Sequence, residues 1–249
     1  MGKIYSKEYE LHYYDVDSNL KCSIATILNI LSDIGTKQSE ELGSGMEGLL
    51  KNNMTWVFYN YNVRVNRYPM YGEKLLVKTE PAGFKKFYAI RKYEIKDESG
   101  NLVVEANAIF LLINLEKRRT MRIPLEQYEI YGLKGDIDGE FKIPKLEKLK
   151  EVTYERKFSV RYTDIDFNKH VNNTKYVEWA IESLPEDIVK NYKLEEIKVT
   201  FEKECKYGEE IKSLSSFIKE EDGSLTTIHR IETFDNKELT KLIAHWRKY

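Results

Sequence analysis

The sequence predicts an α+β fold made of two tandem copies of one unit, each an antiparallel sheet wrapped around a long, largely buried helix. Three observations carry this expectation: an internal repeat, a helix-period apolar run after each copy of a polar phrase, and strand-period alternation beyond each run. Shifting the chain by 149 positions lays Tyr13, Asp15, Asp17 and Asn19 on Tyr162, Asp164, Asp166 and Asn168. Further on, at a shift of 136, VRVNRYPMYG (63–72) lies on VTFEKECKYG (199–208).

Each half opens on a short strand and reaches the polar phrase. In the first half the run Ile24, Ile27, Leu28, Leu31 and Ile34 then keeps to one helical face. In the second, Tyr176, Val177, Ala180, Ile181 and Leu184 do the same, and Trp179 widens the face. Ser23 and Asn172 occupy corresponding positions and fit the N-cap. Apolar/polar alternation predicts strands over 74–78, 87–95 and 103–113, then 211–218, 226–234 and 239–246. Turn residues separate them, notably Glu98-Ser99-Gly100-Asn101 and Glu221-Asp222-Gly223-Ser224. Glycine and proline near the start of 132–152, with lysines and glutamates at its end, read as a linker between domains at 1–131 and 153–249.

Composition narrows the class of protein. Charged residues make up 33% and hydrophobic ones 41%, so the chain is rich in charge yet has enough apolar residues for two cores. No apolar run approaches the ~18–20 residues of a membrane span. MGKIYSKEYE has no apolar core behind its lysine, so no secretory signal is expected, and Met-Gly with Ser6 is a weak match to a myristoylation site. Two cysteines fit a reducing cytoplasm, and a net charge of −1 gives no overall attraction to nucleic acid or anionic membrane. A cytoplasmic globular protein is the expectation.

DIDFNKHVNN (164–173) packs two carboxylates, an imidazole and three carboxamides before an apolar run. If the strand from Phe158 stays extended, alternate residues from Tyr162 to His170 point one way, about 6.5–7 Å apart. His170 can exchange protons at neutral pH, a carboxylate can orient it or take a proton, and a carboxamide can position a carbonyl or a water. A helix starting around 172–174 would offer free N–H groups to an oxyanion. The side chains of Asp164, Asn172 and Asn173 themselves fit turn and cap roles better than catalysis. The first copy repeats the phrase with Lys21 in place of His170, so the shared part can serve structure alone.

RYTDIDFNKHVNNTKYVEWAIESLP (161–185) and FEKECKYGEEIKS (201–213) resemble the two C-terminal signatures of the acyl-[acyl carrier protein] thioesterases, the plant type and its bacterial relatives. The similarity covers essentially the whole chain, including WVFYNYNVRV (56–65). It implies two tandem hotdog domains and hydrolysis of fatty acyl-ACP to free fatty acid and carrier, which ends chain elongation. Carried over by position, it marks Asp166, Asn168 and His170, with Glu204 and Cys205. Glu204 would activate water, alone or with His170, and Asn168 would bind the thioester carbonyl or that water. Asp166 would fix the geometry or act as nucleophile. A papain-like alternative uses Cys205, but on a strand it would face away from Glu204 and serve as a small buried apolar residue. In the first half Tyr68-Pro69 replaces Glu204-Cys205. That half would supply the acyl pocket, with Met46, Met54 and Trp56 as candidate lining.

Gly43-Ser44-Gly45-Met46-Glu47-Gly48 matches GxGxxG but follows a helix, so it reads as a loop. Histidines and cysteines lack metal-ligand spacing, and no metal or cofactor is expected. The implied partner is acyl carrier protein, with no nucleic acid and no membrane span; a homodimer is the assembly left to test. Lys85-Lys86, Arg91-Lys92 and Lys117-Arg118-Arg119 are basic clusters, any of which could meet an acidic carrier. Two other readings keep the fold: an acyl-CoA thioesterase, and a non-catalytic acyl-binding protein.

Overall fold

The structure, a computed structural model, describes residues 2–138, 143 and 145–249. Its described residues fall into two units, one from 2–59 and 65–143, the other from 60–64 and 145–249.

In the first unit, β1 (Tyr5–Glu10) leads through a 3-10 turn into α1 (Ile24–Glu41). Ser23 caps α1, its hydroxyl accepting the Thr26 N–H at 3.0 Å, and Gly43 at φ +77° follows the helix end, where a left-handed residue needs no Cβ. All five residues of the predicted apolar face are buried. A short α2 (Met46–Lys51) precedes β2 (Met54–Val65), β3 (Lys74–Lys85), β4 (Tyr88–Asp97) and β5 (Leu102–Asn114). The hairpin strand β6 (Arg119–Thr120) and α3 (Leu125–Tyr131) complete it. The strand order is β1-β3-β4-β5-β2, with β6 on β5.

The expected strand over 74–78 runs on to Lys85, past Pro81 and Gly83, because a bulge between them absorbs both breakers. Ile137 packs where a Gly83 Cβ would sit. The start of the expected linker is therefore docked: Ile137 N–H donates to Phe84 O at 2.9 Å and Leu133 N–H to Tyr128 O at 2.7 Å. Residues 139–142 and 144 of that linker lie outside the described residues.

The second unit repeats the plan with β7 (Tyr154–Ser159), a 3-10 turn at Tyr162–Asp164, α4 (Asn173–Glu182) and a short α5 (Glu186–Asn191). Then come β8 (Tyr192–Phe201), β9 (Glu210–Lys219), β10 (Leu225–Thr233) and β11 (Glu238–Lys248), in the order β8-β11-β10-β9-β7. Residues 60–64 of β2 pair with β8, from Asn60↔Thr200 to Arg64↔Glu196. Leu184-Pro185 stops α4 after ten residues, because the residue before proline is pushed out of the helical region. As a result Leu184 is buried beyond the helix end, and Ile181 is only half-buried.

The two sheets share one register at the 136-residue shift. Thr79 faces Tyr93, which faces Ala106; Ser215 faces His229, which faces Leu242. His229 thus stands where the first unit has Tyr93. Its Nε2 lies 2.9 Å from Thr227 Oγ1, which also accepts the Trp246 Nε1–H at 2.9 Å. Burial pushes the His229 imidazole down to about 3. Unfolded, it would titrate near ~6.5, so below that pH the unfolded chain binds a proton the native one refuses. This contribution to stability is full above ~6.5 and falls by about 1.4 kcal/mol per pH unit as the pH drops. Urea unfolding between pH 6.5 and 5 should show that slope in the wild type and lose it in His229→Tyr. An unchanged slope would refute the assignment.

Candidate active site

The chain does not stay extended after β7. The 3-10 turn at 162–164 buries Asp164, whose carboxylate accepts the Arg161 backbone N–H at 2.8 Å, Nε at 3.1 Å and Nη2 at 2.7 Å. Burial alone would raise the Asp164 pKa; the Arg161 hydrogen bonds outweigh it and hold the carboxyl below its ordinary value. Asp164 is therefore a structural anchor. The signal for it, an arginine three residues before an aspartate, was present in the sequence.

Beyond the anchor, residues 165–171 form a tight loop closed by an Ile165–Val171 bridge. Asp166 N–H donates to His170 O at 2.8 Å, and Asp166 Oδ1 accepts the Asn168 N–H at 2.8 Å. Lys169 takes φ +65° at the tip. The first unit builds the same loop: Asp17 N–H to Lys21 O at 2.8 Å, Asp17 Oδ1 accepting Asn19 N–H at 2.8 Å, and Leu20 at φ +59°. Aspartate at this position shapes the loop in both copies.

A second segment meets each loop in the same way. Val171 N–H donates to Cys205 O at 3.1 Å, and Cys22 N–H donates to Pro69 O at 2.8 Å. Gly208 N–H to Val160 O at 3.1 Å is matched by Gly72 N–H to Leu11 O at 2.9 Å. The scaffold is duplicated and the side chains diverge upon it. In the second unit it sets His170 Nε2 at 3.3 Å from Glu204 Oε2. The His170 side chain keeps 29% and that of Glu204 52% of its exposure, so water reaches both. Asn168 is exposed on the same loop.

Glu204 and Cys205 do not lie on a strand, because β8 ends at Phe201 and the chain is irregular until β9. Their opposite facing holds all the same: Glu204 is exposed, whereas Cys205 is fully buried under the Tyr176 hydroxyl. That hydroxyl accepts the Cys205 N–H at 3.1 Å and lies 3.2 Å from Sγ. Burial pushes the Cys205 thiol up to about 11, against the opposing pull of the Tyr176 hydrogen bond. A thiol so held is protonated and shielded at neutral pH, the opposite of an activated nucleophile. Cys205→Ala is expected to keep acyl thioester turnover within a few-fold of wild type, and iodoacetamide should leave the native thiol unmodified at pH 8. Loss of turnover by a hundredfold in a folded Cys205→Ala protein would restore a thiol mechanism.

Asn172 caps α4, its side-chain oxygen accepting the Thr174 N–H at 2.9 Å, which commits that carboxamide to structure; Asn173 opens the helix half-buried. In the first unit Met54 is buried and Trp56 partly buried in one apolar cluster with Phe84, Leu112, Ile123 and Tyr128. The Trp56 and Phe84 rings stand 5.9 Å apart. Met46, on α2, is half-buried and lies outside that cluster. Among the described residues no group of histidine, cysteine or carboxylate side chains is placed to hold a metal ion.

The fold is that of the hotdog thioesterases. A 12:0-ACP thioesterase from Umbellularia californica superposes on it with a TM-score of 0.87 at 22% identity, over 99% of this chain and 94% of that one. A protein of Lactobacillus plantarum, provisionally an oleoyl thioesterase, gives a TM-score of 0.91 at 25% identity over 99% and 97%. Residues 2–131 match the acyl-ACP thioesterase N-terminal domain and residues 147–248 its C-terminal domain. The chain belongs to the acyl-ACP thioesterase family. It is 25% identical over 260 residues to an acyl-[acyl-carrier-protein] hydrolase of Cuphea viscosissima, covering 99% of this chain and 63% of that protein's length. No helix among the described residues is long and apolar enough to cross a membrane.

Proposed function

We propose that the chain hydrolyses fatty acyl-ACP thioesters to free fatty acid and carrier protein, by activating water at the His170–Glu204 pair. The observation that carries this reading is the 3.3 Å contact between those side chains on a loop scaffold whose other copy holds Lys21 and Tyr68 instead. Glu204, alone or with His170, takes a proton from water as its oxygen bonds to the thioester carbonyl carbon. Asn168 binds the carbonyl oxygen or the incoming water, and Asp166 holds the loop that presents both Asn168 and His170. The C–S bond then breaks, the carrier's thiolate leaves and takes up the proton first captured from water, and the acyl group departs as a carboxylate as the second water proton is released to solvent. The acyl chain lies in the first unit's apolar cluster, against Met54 and Trp56.

The two free thiols, Cys22 and Cys205, fit a reducing compartment such as the cytoplasm. Matched acyl-ACP and acyl-CoA assays test the carrier: faster turnover of acyl-ACP supports the reading, and a strong preference for CoA overturns it. Sedimentation of the purified chain tests for a homodimer.

A further inference from the structure

The whole chain carries nearly equal numbers of basic and acidic residues, 40 and 41, and many of its basic side chains sit beside carboxylates. Arg67 spans Glu73 and Asp97, Lys241 spans Glu202 and Glu238, and Arg247 meets Glu195. One surface of the first unit departs from that pattern. The β5–β6 hairpin carries Lys117 and Arg118 in its turn and Arg119 at the start of β6, and the chain then runs on through Arg122. Ile123 N–H donates to Lys86 O at 2.9 Å, which fastens the β3–β4 tip alongside. Lys86, Lys117, Arg118, Arg119 and Arg122 are all exposed, and none forms an ion pair with a described carboxylate.

Two acids border the patch without forming an ion pair with its cations. Asp136 accepts the Tyr128 hydroxyl and the Lys86 backbone N–H at 3.4 Å, and Glu116 accepts the Asn53 carboxamide at 3.3 Å. Side chains as exposed as Phe87 and Leu115 lie within the patch. Beneath it, Phe84, Leu112 and Ile123 belong to the apolar cluster assigned to the acyl chain.

We propose that this surface is where an acidic face of the acyl carrier protein lands. The assignment rests on the thioesterase reading above and deepens it. A concentration of unpaired cations on a chain of near-zero net charge steers an oppositely charged partner and sets its register. A carrier that lands here delivers its acyl chain to the unit containing the apolar cluster. Of the three basic clusters, Arg91-Lys92 is excluded, because Arg91 is buried and bonded to Gln38 and Thr79.

The test compares two substrates with the same acyl group, acyl-ACP and the uncharged acyl-N-acetylcysteamine thioester, at low and high salt. Lys117→Glu/Arg118→Glu/Arg119→Glu should raise KM for acyl-ACP about tenfold or more at low salt, with the gap narrowing at high salt. It should leave kcat, and all kinetics on the small thioester, within twofold. Lys37→Glu/Lys219→Glu/Lys248→Glu makes the same change in net charge elsewhere and should not shift KM. Equal effects of the two triple variants, equal effects on both substrates, or no effect at all would overturn the docking surface. So would patch-dependent binding to phosphatidylglycerol vesicles or duplex DNA with acyl-ACP kinetics unchanged. If the wild type hydrolyses neither substrate, it is the thioesterase reading that fails.

Discussion

Replacing Glu204 by glutamine is expected to lower kcat for acyl-ACP hydrolysis by a factor of about 10²–10⁴, the range general acid–base groups supply. KM should change little, because the carboxylate is assigned to water rather than to the acyl chain. His170→Gln should fall in the same range. The two side chains lie 3.3 Å apart, and if they act as a unit the double variant should be scarcely worse than the poorer single one. Both groups lie on exposed loops, and thermal unfolding should shift by no more than a few degrees. If either single variant stayed within threefold of wild type, water activation by this pair would be wrong, although the fold would stand.

Asp166→Ala and Asp17→Ala form the second test, because the two aspartates shape the same loop in the two units. Each accepts the backbone N–H two residues on, and Asp17 also accepts that of Lys21 at 3.0 Å, so each alanine variant should cost about 1 kcal/mol of stability per lost bond. Only one loop carries His170 and Asn168. Asp166→Ala should therefore also lose about 10²-fold in kcat, the penalty that follows a displacement of about 1 Å in a positioned group. Asp17→Ala should leave kcat within twofold. Parallel losses of activity would mean that the first unit's loop also takes part in the chemistry.

The duplication was legible because it is written in residue types that the backbone itself requires. The aspartates at 17 and 166 must accept loop N–H groups, and Ser23 and Asn172 must cap helices, so these positions recur at a fixed shift. The pairing of His170 with Glu204 was implied by family resemblance; spacing alone does not bring together residues on two separate loops. Two local expectations failed for identifiable reasons. Arg161 and Asp164 close a 3-10 turn where alternation suggested an extended strand, since a side chain that bonds its own backbone competes with strand pairing. The chain around Glu204 alternates as a strand would, yet it leaves β8 at Phe201, because Val171 and the Tyr176 hydroxyl take the Cys205 backbone groups. The half-buried placement of Met46, outside the cluster of Met54 and Trp56, was likewise set by packing that periodicity does not encode.

The most direct measurement is steady-state turnover of the purified chain across acyl-ACPs from short to long, each matched with the corresponding acyl-CoA. The account predicts hydrolysis of acyl-ACP to free acid, with kcat/KM well above that for the matched CoA thioester and a maximum at some chain length. Acyl-ACP left intact at every length, or CoA thioesters consumed faster throughout, would contradict it.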